Sequence, residues 1–153
     1  MKHFLTLTIF LSFISCSMNH SFSNNTPTKN PKEYVSNEYL QRLNFNNKEL
    51  VAVLINNQFF YIHTSGKKML TLTYDKKPDE FSEGLARTKV NGKIGFFNKN
   101  LEIVLAPVYD FAFPFHNGIA EICMGCKEQI NEEENMLDGG RWKKINRSGL
   151  VIE

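Results

Sequence analysis

Short apolar runs separated by turn signals fill the second half of the chain. Residues 85–90 lead into Asn91-Gly92, residues 94–98 follow, and residues 103–105 form a third run that stops before Pro107. Asn-Gly favours a type I′ hairpin turn because both positions tolerate a positive φ angle. Proline cannot donate to a strand ladder, so it ends the third run. The pattern predicts a three-stranded antiparallel meander followed by a connector.

This meander is one of three similar units. Two of the matches between units have offsets of 34 or 35 residues, and the last has an offset of 48. The longer offset predicts an insertion of 14 residues in the third unit, between Ala120 and Arg141. The matching pairs are residues 61–75 with 96–110, 81–86 with 115–120, and 93–104 with 141–152.

The repeat predicts an all-β fold of tandem three-stranded antiparallel meanders. A single meander cannot bury both faces, so neighbouring copies supply the core, as in other repeat arrays. The copies span about residues 50–83, 84–117 and 118–153, with the insertion at 121–140. Gly95 lacks a Cβ, which predicts a close approach by neighbouring backbone or by a ring. The predicted repeat core consists of recurring aromatic residues: Phe96, Tyr109, Trp142 and Tyr74.

The segment ahead of the first copy, residues 32–49, predicts a short helix. Asn30-Pro31 suits an N-cap followed by the first helical position, and Glu33 suits the third position. An alternative aligns Tyr39 with Tyr74 at an offset of 35, which makes this segment a degenerate connector of a fourth repeat.

An apolar run lies at the N-terminus, directly after Lys2 and His3. It covers the eleven residues 4–14, whereas a membrane-spanning helix needs about 20 residues. A basic start followed by a short apolar run is typical of a secretory signal peptide. We therefore expect residues 1–15 to be removed from the mature protein.

The apolar run ends in Phe13-Ile14-Ser15-Cys16, which resembles the lipobox of bacterial lipoproteins. The resemblance implies cleavage before Cys16 and attachment of lipid, including a fatty acid such as palmitate, to that residue. An ordinary signal peptide that happens to contain a cysteine is the alternative. Residues 16–31 are rich in Ser, Asn, Thr and Pro, which predicts a flexible tether with a reach of about 20 Å.

Charge and residue spacing argue against several classes of function. Eighteen Lys and Arg residues against sixteen Asp and Glu residues leave a net charge of +2, too small to attract nucleic acid strongly. His20, His63 and His116 have no Ser, Cys or Asp at a recognisable catalytic spacing, and the sequence has no Gly-rich phosphate loop. We therefore predict no enzymatic activity, no cofactor and no nucleic-acid partner.

Cys123 and Cys126 form the one motif that suggests chemistry. In an oxidising compartment we expect a structural disulfide, or two inert thiols, at the mouth of the insertion. A redox-active pair is one alternative. A metal site is another, with His116 or Asp138 recruited because zinc needs four ligands. Residues 132–134, three glutamates, predict a solvated loop, since calcium needs a glycine turn between alternating oxygen ligands.

Three sequence segments of the middle copy resemble the bacterial WG repeat, or KWG repeat: residues 81–86, 91–98 and 102–110. Ile94-Gly95 stands at the position of the family's Trp-Gly pair, and Trp142-Lys143 stands there in the third copy. The resemblance implies an all-β repeat protein, often exported or surface-associated, with a binding role and no assigned catalytic residues. Similar Cys-x-Gly-Cys insertions in WG-repeat proteins imply a structural role for the two cysteines.

These features predict a lipid-anchored protein of the bacterial cell envelope, in the outer membrane or facing the periplasm. Its β-repeat domain is predicted to bind an envelope protein or a glycan, while its lipid contacts the membrane. A thiol–disulfide or metal-binding activity at Cys123 and Cys126 is the alternative function. The last copy stops at Glu153, before a Pro-x-Tyr-Asp segment, so we expect either a truncated fragment or an unpaired edge strand that self-associates.

Overall fold

Antiparallel strands make up most of the fold, and the prediction of tandem three-stranded meanders is confirmed. The computed structural model describes residues 32–130 and 135–152. In chain order the elements are β1 (Lys32–Tyr34), α1 (Asn37–Gln41), β2 (Leu50–Ile55), β3 (Gln58–His63), β4 (Lys67–Leu70), β5 (Thr73–Tyr74), β6 (Lys77–Pro78), β7 (Leu85–Val90), β8 (Lys93–Asn98), β9 (Ile103–Tyr109), β10 (Phe111–Ala112), β11 (Ile119–Ile130) and β12 (Asn135–Asn146).

The first two copies are meanders of the same kind. Strands β2, β3 and β4 form the first, and β7, β8 and β9 form the second. The first hairpin of each closes on two residues with positive φ angles: 49° and 61° at Asn56 and Asn57, and 51° and 80° at Asn91 and Gly92. Positive φ at both central positions defines a type I′ turn, so the turn predicted from Asn-Gly is confirmed.

The third copy is a hairpin with 12 residues in each strand, β11 and β12. Its proximal half repeats the register of the second copy, because Met124 lies opposite Arg141 as Val90 lies opposite Lys93. The inserted residues then continue the same two strands. The insertion at 121–140, expected as a loop, is therefore paired strand in its described part, since each new pair extends an existing antiparallel ladder.

The short helix predicted ahead of the first copy is present, but it begins later than predicted and a strand precedes it. β1 pairs with the edge of β4. The helix α1 begins after Ser36, whose hydroxyl accepts a hydrogen bond from the N–H of Tyr39 at 3.2 Å. The predicted N-cap, Asn30, lies outside the described residues. An isolated short helix is only marginally stable, whereas β1 gains hydrogen bonds from an existing sheet.

Phe96 and Phe97 divide the core into two clusters, because successive residues of a strand face opposite sides of the sheet. Phe96 packs on Phe115 with ring centroids 4.8 Å apart, in the cluster that joins the second and third copies. Phe97 packs on Phe81 with centroids 5.5 Å apart, in the cluster that joins the second and first copies. Neighbouring copies thus bury both faces of the middle meander.

Gly95 lets β8 and β9 approach closely, as its lack of a side chain predicts. A Cβ there would lie 2.6 Å from the carbonyl oxygen of Leu105 and 2.7 Å from the nitrogen of Pro107. The register of the two strands shifts at this point, between Ile94 and Phe96. Because both close neighbours are backbone atoms, they cannot rotate away from a larger residue.

Two of the four aromatic residues predicted for the core lie at the surface. Phe96 is buried, and Tyr109 is half-buried against the same cluster, but Trp142 is 45% exposed and Tyr74 is 73% exposed. Tyr74 belongs to a two-residue strand paired only with β6 among the described strands. Within the described residues no third strand lies beside Trp142, whereas the equivalent Ile94 faces Tyr109 in β9.

Candidate functional site

A groove of about 1120 Å³ lies between the β5–β6 hairpin and the aromatic residues of and beside β10. Tyr74 and Pro78 line it from the hairpin, and Phe111 and Phe113 line it from the other side. Leu137 of the insertion also lines it. Clefts that bind small ligands usually measure about 300–1,000 Å³, so the groove has room for a small molecule or a short polymer segment.

The aromatic cluster beside the groove consists of Phe111, Phe113 and Trp142. The rings of Phe113 and Trp142 are stacked, with an interplanar angle of 28° and centroids 6.0 Å apart. Phe111 meets Phe113 edge-on at a centroid distance of 5.0 Å. Ala112 faces the core with no exposed surface, so the residues on either side of it face the groove. Phe113 and Trp142 each remain 45% exposed.

Asp79 and Arg87 form a buried ion pair that also lines the groove. The side chains are 5% and 8% exposed, and the Nη2–Oδ1 distance is 2.5 Å. The other carboxylate oxygen of Asp79 accepts hydrogen bonds from the backbone N–H of Arg87 at 2.8 Å and from its Nε at 3.0 Å. Nη1 of Arg87 donates to the carbonyl oxygen of Ala112 at 2.8 Å. Both charges are therefore compensated, which marks the pair as structural.

Charged side chains surround the aromatic surface. Lys89 of β7 and Glu128 of the insertion form an ion pair across the groove lining, with Nζ and Oε1 3.4 Å apart. Asp75 and Lys77, from the turn and second strand of the β5–β6 hairpin, line the opposite side. A ligand in the groove would therefore meet apolar rings first and polar groups of both signs around them.

Two half-buried tyrosines, Tyr61 and Tyr109, have raised pKa values. Burial raises the pKa of Tyr61, and the carboxylates of Asp79 and Glu80 raise it further. The Tyr61 hydroxyl donates to the carbonyl oxygen of Asp79 at 3.0 Å. Burial also raises the pKa of Tyr109. Both shifts favour the neutral phenol, the form already present at neutral pH, so neither tyrosine is tuned as a general base.

Two consecutive stretches, residues 59–93 and 94–127, match the family model of the WG containing repeat. Residues 59–127 carry two WG repeats. Each matched unit begins at the second strand of one copy. The first unit ends just after β7 and the second ends within β11, so the family model divides the same period at a different point from the copies predicted here. No curated protein and no solved structure matches the chain.

The structure joins the two cysteines of the third WG-like copy by a disulfide. The Cα atoms of Cys123 and Cys126 are 6.0 Å apart, whereas three residues of regular strand span about 10 Å. Gly125, with φ at 83°, folds the strand between them. A Cβ on Gly140 of the facing strand would lie 2.5 Å from both sulfur atoms, so this position requires glycine.

Asp110, which lies between β9 and β10, holds this folded strand in place. Its carboxylate accepts a hydrogen bond from the N–H of Gly125 at 2.5 Å and pairs with the ammonium group of Lys93. The hydrogen bond from Lys93, followed by that from Gly125, lowers the pKa of the Asp110 carboxyl group. Asp110 thus links Lys93 of β8 to the start of the insertion.

The described residues contain no group of three or more His, Cys, Asp and Glu side chains arranged to hold a metal ion. His116 sits in an exposed turn, and Asp138 sits on the exposed distal part of β12. The acidic run 132–134 falls between the two described ranges. In residues 32–130 and 135–152, no helix has the length and apolar character needed to cross a bilayer.

The predicted signal peptide, the lipidation residue Cys16 and the tether lie outside the described residues. Within the described residues, the groove was not predicted from the sequence. The alternation of Phe111 and Phe113 around Ala112 is a sequence pattern that indicates a strand with one aromatic face, but the repeat alignment placed these residues in a connector. Arg87 is a second sequence signal, because an arginine inside an apolar strand needs a buried partner.

Proposed function

We propose that this chain is a lipid-anchored protein of the bacterial cell envelope whose WG-repeat domain binds a partner in the groove. The observation that carries the binding role is the exposed, stacked pair of Phe113 and Trp142 beside a groove of about 1120 Å³. The partner is an envelope protein or an envelope glycan. The domain acts by binding rather than by catalysis.

The groove has the features of a recognition site. Exposed aromatic rings offer large apolar area at low conformational cost, worth roughly 25 cal/mol for each Å² that a partner covers. Flat rings suit both the faces of sugar rings and the side chains of an extended peptide. Lys77 and Asp75 on the opposite side supply hydrogen-bonding groups that orient the partner.

The proposed anchor rests on the lipobox-like residues that end in Cys16. Each buried CH₂ of a fatty chain contributes about 0.8 kcal/mol, so two or three chains hold a protein stably at a bilayer. A tether over residues 16–31 would keep the WG repeats close to that membrane.

Trp142 provides a direct assay of the groove, because it is the single tryptophan of the chain and stacks on a groove residue. The purified Cys16→Ser protein is titrated separately with envelope polysaccharide and envelope protein fractions while its fluorescence is recorded. We expect one fraction to give a saturable change that Phe113→Ala weakens at least about tenfold. Tyr34→Ala removes an exposed aromatic residue from β1 and should leave binding unchanged. Equal binding by both variants would remove the groove from the proposal.

The anchor is tested by fractionating cells that express the protein fused to a fluorescent domain. Wild type should be recovered with membranes and incorporate labelled palmitate, and Cys16→Ala should lose both properties. Membrane recovery that is the same in the variant would contradict the lipid anchor and leave the groove proposal untouched.

The alternative activity at the two cysteines receives no support from the described residues. Cys123 is completely buried and Cys126 is 8% exposed, whereas a reactive thiol must be reached by its substrate. Reduction of insulin by the purified protein would nevertheless overturn this assignment.

A further inference from the structure

β2 is the outer strand of its sheet, which has the order β1-β4-β3-β2. The carbonyl oxygen of Glu49 accepts a hydrogen bond from the N–H of Thr64. The backbone N–H and C=O groups of Glu49, and of every second residue after it, therefore point towards β3. The N–H and C=O groups of Ala52 and Leu54 therefore point away from the sheet.

The equivalent edge is covered in both of the other copies. Arg87 occupies the position of Ala52 in the second copy, and its carbonyl oxygen accepts the N–H of Leu72 at 3.1 Å. Glu121 occupies it in the third copy, and its carbonyl oxygen accepts the N–H of Phe113 at 2.9 Å. In each case the donor belongs to the connector that enters from the preceding copy.

The connector continues along this edge as a strand. In the third copy β10 pairs antiparallel with β11, and the N–H of Asp110 reaches the carbonyl oxygen of Cys123 at 3.0 Å. Cys123 occupies the position of Leu54. The side chains at these positions differ completely among copies, so the recurring interaction is made by the backbone.

The described residues include no such connector beside β2. Its six residues, LVAVLI, contain neither a charged residue nor a proline, although natural edge strands are usually protected by one or the other. Leu54 is 55% exposed. The edge therefore offers unpaired backbone groups together with an apolar side chain.

We propose that β2 receives an extended segment of another polypeptide, which adds to the sheet as an antiparallel strand. The segment takes the place that the preceding connector takes in the second and third copies. Backbone hydrogen bonds to Ala52 and Leu54 give the affinity, and an apolar side chain beside Leu54 adds to it. This site is separate from the groove and does not depend on its occupant.

The probe is a synthetic peptide with the chain's own connector sequence, residues 108–115, carrying added lysines for solubility. Hydrogen exchange of the purified Cys16→Ser protein is followed by NMR. We expect the peptide to slow exchange at the outward amides of Ala52 and Leu54 by about tenfold or more, because pairing removes them from water. A peptide N-methylated on alternate residues cannot donate and should leave exchange unchanged.

Ala52→Pro removes an outward donor without breaking a bond to β3 and should weaken peptide binding at least about tenfold. Ala52→Val keeps the donor and should bind normally. Should the proline variant unfold by circular dichroism, Leu54→Lys provides the second test, since a charge at an exposed edge position opposes strand addition.

Binding of equal strength by wild type and the edge variants would overturn the proposal. Slowed exchange without any effect at Ala52 and Leu54 would also overturn it, because the peptide would then sit elsewhere. Light scattering adds a third outcome: a dimer that Leu54→Lys dissociates, with no peptide binding, would show that the edge pairs with a second copy instead.

Discussion

Arg87 joins parts of the chain that are far apart in sequence. Its guanidinium group contacts the carboxylate of Asp79 before it and the carbonyl oxygen of Ala112 after it. Its own carbonyl oxygen accepts the hydroxyl of Thr71 at 3.2 Å. Since the Arg87 charge is buried, the guanidinium group stabilises the fold only while it keeps all of its partners.

Removal of Asp79 should therefore be costly. Asp79→Ala leaves the Arg87 charge buried without its carboxylate, and we expect the free energy of unfolding to fall by about 3–5 kcal/mol in urea denaturation. Glu38→Ala breaks the exposed pair with Arg42 and should cost less than about 1 kcal/mol. Similar losses in the two variants would mean that the buried pair is not a structural centre.

Gly140 is a second position with a sharp requirement. In Gly140→Ala the new methyl group would overlap both disulfide sulfurs, and we expect a loss of about 2–4 kcal/mol together with free thiols in a thiol titration. Gly139→Ala is the matched control, because φ is also positive there but nothing lies within 4 Å of the added Cβ. Its loss should be limited to the backbone cost of about 1–2 kcal/mol. Equal losses would contradict the proposed packing.

Asp110 should make stability depend on pH in acid. Its pKa is lowered in the folded protein by Lys93 and by the N–H of Gly125. The contribution of Asp110 to the free energy of unfolding is therefore complete above the unfolded-state pKa of about 3.9. It is lost as the pH falls through the lower folded-state pKa. Urea denaturation should show Asp110→Asn less stable than wild type at pH 7, with the difference disappearing in acid. A difference that persists below that range would exclude the carboxylate as its source.

At the scale of elements, the β11–β12 hairpin shows how a repeat can acquire a new surface. In the hairpin of the second copy each strand has six residues, whereas each strand of the β11–β12 hairpin has twelve. Its distal part brings Glu128 and Leu137 to the groove. The insertion thus adds a wall to the candidate site without altering the register beneath it.

Shortening this hairpin should separate folding from binding. Residues 125–140 are replaced by Asn-Gly, the turn of the second copy, and Cys123→Ser removes the remaining thiol. We expect the far-UV circular dichroism of a folded β protein, because Met124 and Arg141 already stand where Val90 and Lys93 stand. The fluorescence response of Trp142 to the groove's partner should weaken at least about tenfold. An unfolded product would show that the insertion is needed for the fold.

The sequence predicted the meanders because their signals are local. Asn91-Gly92 sets a turn by its own backbone preference, and Gly95 marks a close approach beside it. The exposure of Trp142 could not be predicted from local signals, because the burial of its side chain depends on whether another strand lies beside β12. The groove was also hidden, because it is formed by a hairpin, a connector and an insertion that are separate in sequence.

At the scale of the described domain, the turns that precede β7 and β11 are joined by hydrogen bonds, in addition to the two core clusters. Ser82 Oγ donates to the carbonyl oxygen of Phe115 at 2.5 Å. The carboxylate of Glu83 accepts the N–H of Gly118 at 3.0 and 3.1 Å. Phe96 and Phe97 pack the middle copy against both neighbours, so the two apolar clusters are shared between copies.

The described domain should consequently unfold as one unit. Urea denaturation of the Cys16→Ser protein is followed by Trp142 fluorescence, which reports on the third copy, and by far-UV circular dichroism, which reports on all strands. We expect the two curves to coincide, since the copies share their apolar clusters. A fluorescence transition at a clearly lower urea concentration would show that the third copy opens separately.

The joint between the turns at 82–84 and 116–118 has an evolutionary consequence. It uses one hydroxyl, one carboxylate and main-chain groups, and the main-chain part is present in any sequence that keeps the turn geometry. A unit added by tandem duplication would therefore form the main-chain part of this joint with its neighbour without further substitutions. Genes built on this plan are expected to differ in copy number while keeping the spacing, and to accept insertions at hairpin tips, where the joint is not involved.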